Sequence, residues 1–264
     1  MKYNTLHMTD INQVPKFYND VNFCNCADAR ALRILSEYLG PQQRLDQFNI
    51  QHTIVFFGSA RIASPENLKD AKGKAKYAEK AAEYYEKARQ LAFKITQWCS
   101  QFSESVRPCL ITGGGPGIME AGNRGAHEAG GMSLGMAISL PKEQKLNTYC
   151  NVGASMQFHY FFMRKYWLLF KTRAFVAFPG GIGTLDELFE ILTLIQTKKV
   201  RKFPIILFGS EFWQPLINFQ LLIDWGLIAP DDIHLFKIFD DVQEASDYLQ
   251  SILTSDYLAN ANIR

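Results

Sequence analysis

Apolar and polar positions alternate in blocks along the 264-residue chain. Short apolar runs, of strand length, give way to stretches where apolar residues recur every three or four positions, as on one helix face. The runs 53–57, 108–112, 132–139, 174–178, 203–208 and 234–238 predict strands. Helical patterns fill the intervals: 28–39, ended by Gly40-Pro41, then a long stretch from Pro65 to about Phe102, interrupted at Gly73. The packed face of that stretch reads as Tyr77, Ala81, Tyr84, Ala88 and Leu91, with its charges on a solvated face. Further helices are predicted over 118–129, over the strongly apolar 155–173, from Thr184 onward, around 212–225 and from Val242 to about Leu253. Strands alternating with helices predict an α/β fold, a Rossmann-like doubly wound parallel sheet with helices on both faces. Residues 1–50 read as a helical N-terminal extension and 51–264 as the Rossmann-like domain.

The segment 175–190, FVAFPGGIGTLDELFE, is the focus of the pattern. Pro179-Gly180-Gly181 stops a strand, and Thr184 opens a helix with Leu185, Leu188, Phe189 and Leu192 on one side. Such a turn leaves backbone N–H groups at the positive end of a helix dipole, which suits a phosphate. Asp186 and Glu187 follow in the first turn. A carboxylate there either complements the dipole or does chemistry.

Glycines mark two further strand ends, Gly58-Ser59 and 113–117. Three glycine-marked ends at the side of an α/β sheet where sites form point to nucleotide or phosphate binding. Neither G-x-G-x-x-G nor G-K-[ST] occurs, which excludes a standard dinucleotide fingerprint and a Walker-type loop. A monophosphate suits what remains. Gly122 and Gly125 read as close helix–sheet packing positions.

In the helix around QFHYFFMRKYWLLFKTR, Arg164 shares a stripe with Phe161 and Leu168. It either snorkels over apolar surface or binds an anion with paired hydrogen bonds. His159 reads as a packed, hydrogen-bonded histidine.

Composition narrows the partners. Hydrophobic residues make up 47% and charged residues 20%, as in a globular domain, and the net charge of +2 makes no electrostatic case for nucleic acid. No apolar run approaches the roughly 20 residues that cross a bilayer, and the N-terminus has no apolar signal region. Five cysteines, few and odd in number, fit a reducing cytoplasm. Cys24-x-Cys26 has no second pair or nearby histidine to complete a metal site, so no metal is expected. No cofactor is expected either: a pyridoxal-dependent decarboxylase needs a Schiff-base lysine in a recognisable setting, and no His-Lys dipeptide occurs.

Together these residues resemble a known family. Pro179-Gly180-Gly181-x-Gly183-Thr184-x-x-Glu187 is similar to the P-G-G-x-G-T-x-x-E signature of the Lonely Guy nucleoside 5′-monophosphate phosphoribohydrolases, long mislabelled as lysine decarboxylases. Arg164-Lys165 resembles the R-K pair that precedes that signature, 113–119 the second glycine loop, and 57–60 the first strand end. Leu140-Pro141-x-Glu143-Gln144 is similar to the longer bacterial members. The likeness covers about residues 50–240. Compact members lack a 50-residue extension, and often carry Glu-Glu where this chain has Asp186-Glu187.

The resemblance implies hydrolysis of the N-glycosidic bond of an AMP-like or cytokinin riboside monophosphate, giving free base and ribose 5-phosphate. It implies Glu187 and Arg164 as catalytic residues. Glu187 would stabilise an oxocarbenium-like sugar; Arg164 would either anchor phosphate or assist the departing base. Gly180, Gly181, Ile182, Gly183 and Thr184 would hold the 5′-phosphate, with Gly58, Ser59, Gly114, Gly115, Lys165, Asp186, Glu143 and Asn147 as further substrate contacts. A homodimer or higher even-numbered oligomer is expected from the aromatic surplus of 155–173. The alternative is a non-catalytic nucleotide or cofactor carrier on the same fold.

Overall fold

The computed structural model describes residues 14–68, 76–141 and 145–261. Among them, seven strands form one sheet: β1 (His52–Phe57), β2 (Pro108–Thr112), β3 (Ser133–Ile138), β4 (Met156–Phe158), β5 (Thr172–Ala177), β6 (Ile205–Phe208) and β7 (Lys237–Phe239). The order is β4-β3-β2-β1-β5-β6-β7 and every pair is parallel. The chain winds from β1 outward to one edge, returns to the centre at β5, and winds outward to the other edge. That reversal opens a crevice beyond the C-terminal ends of β1 and β5, where ligands bind in open α/β sheets. The fold is the Rossmann-like doubly wound sheet expected from the alternating pattern.

The helices are α1 (Val21–Asn25), α2 (Arg30–Gln47), α3 (Ala78–Cys99), α4 (Ile118–Glu128), α5 (Phe161–Phe170), α6 (Ile182–Gln196), α7 (Ser210–Leu216), α8 (Phe219–Asp224) and α9 (Val242–Ala261). Side chains of β1 alternate between two cores. Val55 and Phe57 pack with Leu45 of α2, Trp167 and Leu168 of α5, Leu188, Ile191 and Leu192 of α6, and Trp213 of α7. Ile54 and Phe56 pack with α3, α4 and α9 on the other face. Gly122 lets α4 lie against the sheet, since a side chain there would press on Phe56 and Thr112, each 3.3 Å from the position of its Cβ. Gly125 faces Arg89 and Ala92 of α3 instead, so it serves helix–helix contact.

Several expected elements differ. α2 runs on through Gly40-Pro41 to Gln47. A proline there has no N–H for the Glu37 carbonyl, normally a helix-breaking loss. That carbonyl instead accepts the indole Nε1–H of Trp167 at 2.9 Å. The 155–173 stretch is strand, helix and strand: Met156 and Phe158 are buried on either side of exposed Gln157, a period-two pattern paired with β3, and β5 begins at Thr172. With three residues, β4 is too short for its alternation to stand out ahead of the aromatic helix. The 212–225 helix is two short ones: Ile217 is extended, and Asn218 accepts the Leu221 N–H at 3.0 Å to cap a new start. A 3-10 segment, Pro230–Leu235, precedes β7 and displaces it to Lys237–Phe239.

The long helix from Pro65 appears as a 3-10 turn at Pro65–Asn67 and then α3; Gly73 lies outside the described residues. Tyr77 is exposed, and the inward face of α3 adds Ala82, Tyr85, Ala92 and Ile95 to Tyr84, Ala88 and Leu91. α6 starts at Ile182, two residues before Thr184, because Gly181 is already its cap: the Gly181 carbonyl accepts the N–H groups of Thr184 at 2.9 Å and Leu185 at 3.0 Å.

Candidate active site

The three glycine-marked strand ends are tied into one rim. After β1, the Ser59 N–H donates to Pro179 O at 3.1 Å, and the Ser59 carbonyl accepts the Ile118 N–H at 3.1 Å. One residue thus links the loops after β1, β2 and β5. The Ser59 hydroxyl accepts the Arg61 N–H at 3.1 Å, closing its own turn. The approach is so close that a side chain at Gly58 would run into Ile118. Gly117, at φ +72°, faces the Ser59 carbonyl, a conformation and a space that both require glycine.

The second loop is held from beneath by buried polar side chains. Thr112 Oγ1 donates to Asn123 Oδ1 at 2.6 Å and accepts the Gly114 N–H at 2.9 Å. Asn123 Nδ2 donates to Ser133 Oγ at 3.1 Å. Asn147 Nδ2 reaches Asn123 Oδ1 at 3.0 Å, Gly115 O at 3.0 Å and Gly114 O at 3.2 Å. Asn147 therefore braces the loop with the amide that was expected to meet ribose or phosphate. Beside this loop lies a cavity of about 600 Å³, lined by Gly113, Gly114, Gly115, Lys145 and Leu146 and reached by Arg44 of α2.

The third loop opens α6. Gly180 packs against Thr184, which is buried, while Gly181, Ile182 and Gly183 face solvent, Ile182 with 87% of its surface exposed. The first N–H groups of a helix have no partner within it, and here they stand at the crevice mouth.

One turn further along α6, Glu187 is 1% exposed and accepts a hydrogen bond from Arg164 Nη2 of α5 at 2.6 Å. Arg164 lies over the Phe161 ring at 5.3 Å, and its buried Nε has no hydrogen-bond partner among the described residues. Next to this pair, Lys165 Nζ bridges Asp186 Oδ2 at 2.7 Å and Glu190 Oε2 at 2.8 Å. Burial pushes the Glu187 carboxyl above its ordinary range; Arg164 and Lys165 oppose that, and Glu190 and Asp186 reinforce it. Burial also works against the Lys165 charge, but hydrogen bonds to Asp186 and Glu190 outweigh it and raise that ammonium. The site can hold an anion at the helix start and a buried carboxylate close behind it.

Arg164, Lys165, Asp186, Glu187 and the 180–184 turn thus meet on α5 and α6, and Gly58 and Ser59 join them through Pro179. Gly114, Gly115 and Asn147 form the neighbouring loop two strands away. Glu143 lies outside the described residues. His159 is exposed rather than packed in the core: it sits between β4 and α5, its backbone N–H held by Glu37 and its ring edge-on to Tyr160 at 4.7 Å. Glu190, Thr112 and Asn123 were not singled out in the sequence. Glu190 had a signal: it follows Asp186 by four, so the two share a helix face. Among the described residues, no group of three His, Cys, Asp or Glu side chains is arranged to hold a metal ion.

Residues 119–249 match the family described as possible lysine decarboxylase. Proteins named cytokinin riboside 5′-monophosphate phosphoribohydrolase are similar to this chain as well. One from Arabidopsis thaliana is 31% identical over 147 residues, covering 54% of this chain and 63% of its own length. In this the chain is similar to the Lonely Guy phosphoribohydrolases. A second Arabidopsis relative is 33% identical, covering 46% of this chain and 56% of its own length, and one from Oryza sativa subsp. japonica is 32% identical over 46% and 51%. The chain spans about half to less than two thirds of the length of these relatives. Among solved structures, a molybdenum cofactor carrier protein from Chlamydomonas reinhardtii aligns at 19% identity with a TM-score of 0.47, covering 77% of this chain and 99% of that one. A molybdenum cofactor binding protein from Rippkaea orientalis aligns at 20% identity and a TM-score of 0.46, over 76% and 95%.

Proposed function

We propose that this chain is a Lonely Guy family member that hydrolyses the N-glycosidic bond of an AMP-like nucleoside 5′-monophosphate. The observation that carries the reading is the buried Arg164–Glu187 pair, one turn behind an open helix start. The 5′-phosphate docks on the N–H groups at Gly181, Ile182 and Gly183, where the α6 dipole favours an anion. This anchor brings the ribose over Glu187. The bond from C1′ to the base nitrogen breaks, its electron pair leaves with the base, and the positive charge that develops on the sugar faces the Glu187 carboxylate. Water adds to C1′ and gives up a proton, and the base takes one, leaving ribose 5-phosphate and free base. Lys165, held by Asp186 and Glu190, adds positive charge beside the phosphate. The cavity by Gly114 and Gly115 offers room for the base.

The relatives are named for cytokinin riboside monophosphates, and such an adenine derivative is the second substrate to try. The five free cysteines suit action in a reducing cytoplasm. α5 leaves Phe161, Phe162 and Phe170 about half exposed, apolar surface that fits a homodimer. Purified protein incubated with AMP, GMP, CMP, UMP and the cytokinin riboside monophosphate should release free base from at least one. Binding without release would instead favour a nucleotide carrier.

A further inference from the structure

We propose that Glu37, on the N-terminal helix α2, is a positioning residue that sets the start of α5 and thereby aims Arg164 at Glu187. Glu37 accepts two backbone hydrogen bonds, from the His159 N–H at 2.7 Å and the Tyr160 N–H at 3.2 Å. Tyr160 is the N-cap of α5 and makes no capping hydrogen bond with its own side chain. The carboxylate holds the two N–H groups just ahead of the first helical turn, and its charge suits the positive end of that helix.

The same residue grips α5 a second time. Its carbonyl accepts the Trp167 indole N–H, an acceptor left open because Pro41 cannot donate to it. Next to it, the Tyr38 ring lies 5.7 Å from Tyr166 and 6.5 Å from Trp167, and the Arg30 guanidinium sits 5.7 Å from the Tyr160 ring. Arg164 falls between these two grips. Its N–H donates to the Tyr160 carbonyl at 3.1 Å, so a shift of Tyr160 passes directly to Arg164. At 2.6 Å from Glu187 in a buried setting, Arg164 has little slack to absorb it. The N-terminal helix is then a working part of the site. The inference rests on the hydrolase reading for its effect on catalysis, but not for its effect on the pair.

The test is Glu37→Gln in the full chain. An amide offers one acceptor oxygen where the carboxylate uses two, and turns an NH₂ toward the other backbone N–H. With AMP, kcat/KM should fall about tenfold, the scale of a small misplacement at a reacting centre. Independently of turnover, the Glu187 carboxyl, followed by ¹³C NMR and assigned with Glu187→Gln, should titrate at higher pH as Arg164 withdraws. Glu37→Asp keeps charge and both oxygens but is shorter; it should shift Glu187 the same way by less, and it serves if the amide variant does not fold. A Glu187 titration identical to wild type in a folded variant would overturn the proposal. If wild type releases no base from any nucleotide, the hydrolase reading fails, and the titration still decides the role of Glu37.

Discussion

Arg164 Nη2 and Glu187 Oε1 stand 2.6 Å apart, with Arg164 9% and Glu187 1% exposed. Taking both charges out of water is costly, and attraction between them repays it only in part. The rise of the Glu187 carboxyl above its usual range has that origin. In the proposed reaction, this destabilised carboxylate behind an open helix start is the group that meets the cation developing on the sugar.

Glu187→Gln should lower AMP turnover by about a hundredfold or more with nucleotide affinity nearly unchanged, since the lost charge acts in the transition state. Arg164→Ala should lose affinity as well if Arg164 holds phosphate. Steady-state kinetics beside equilibrium binding separate the two. Wild-type turnover in Glu187→Gln would reduce Glu187 to a helix-start carboxylate.

The same substitution should remove one source of pH dependence from heat stability. The unfolded carboxyl titrates near 4.5 and the folded one above it. The stability of wild type is therefore greatest, with respect to this group, below about pH 4.5, and is lost as pH rises through the folded value. The amide never ionises and keeps a hydrogen bond to Arg164. Melting temperatures of the two proteins should differ at pH 7 and converge as pH falls toward 4.5. A constant gap across that range would contradict the assignment.

Asn123→Ala should cost about 1–3 kcal/mol in denaturant unfolding, because it strands buried polar partners at Thr112, Ser133 and Asn147. The second glycine loop should loosen with it, read as faster amide exchange at Gly114. An unchanged midpoint would mean water replaces the amide.

Light scattering at micromolar concentration should give twice the chain mass, and Phe162→Glu with Phe170→Glu should reduce it to one. A monomeric wild type would leave the exposed α5 aromatics to another role.

The sheet and its crevice were legible because apolar runs of strand length recur along the chain and glycine stops mark the ends of β1, β2 and β5. The residues of the 180–187 signature were legible for the same reason, sitting between the β5 run and the Leu188, Leu192 stripe. Elements failed where the local pattern is too short or is overridden: at Met156–Phe158, three residues are too few to show a strand's alternation, and at Pro41 a tertiary donor, Trp167, compensates for the broken helix ladder. The Asn123 network and the Glu37 grip join residues distant in sequence, so no local spacing announces them. The pairing of Lys165 with Glu190 was half visible, through the one-turn spacing of Asp186 and Glu190, but which cation they share depends on how α5 crosses α6.

The account's central claim is bond cleavage at C1′. Wild-type protein and AMP, sampled over time by chromatography with mass detection, should yield adenine and ribose 5-phosphate in equal amounts, and Glu187→Gln should yield neither on the same timescale. AMP that binds yet stays intact, or that loses phosphate to leave adenosine, would contradict it.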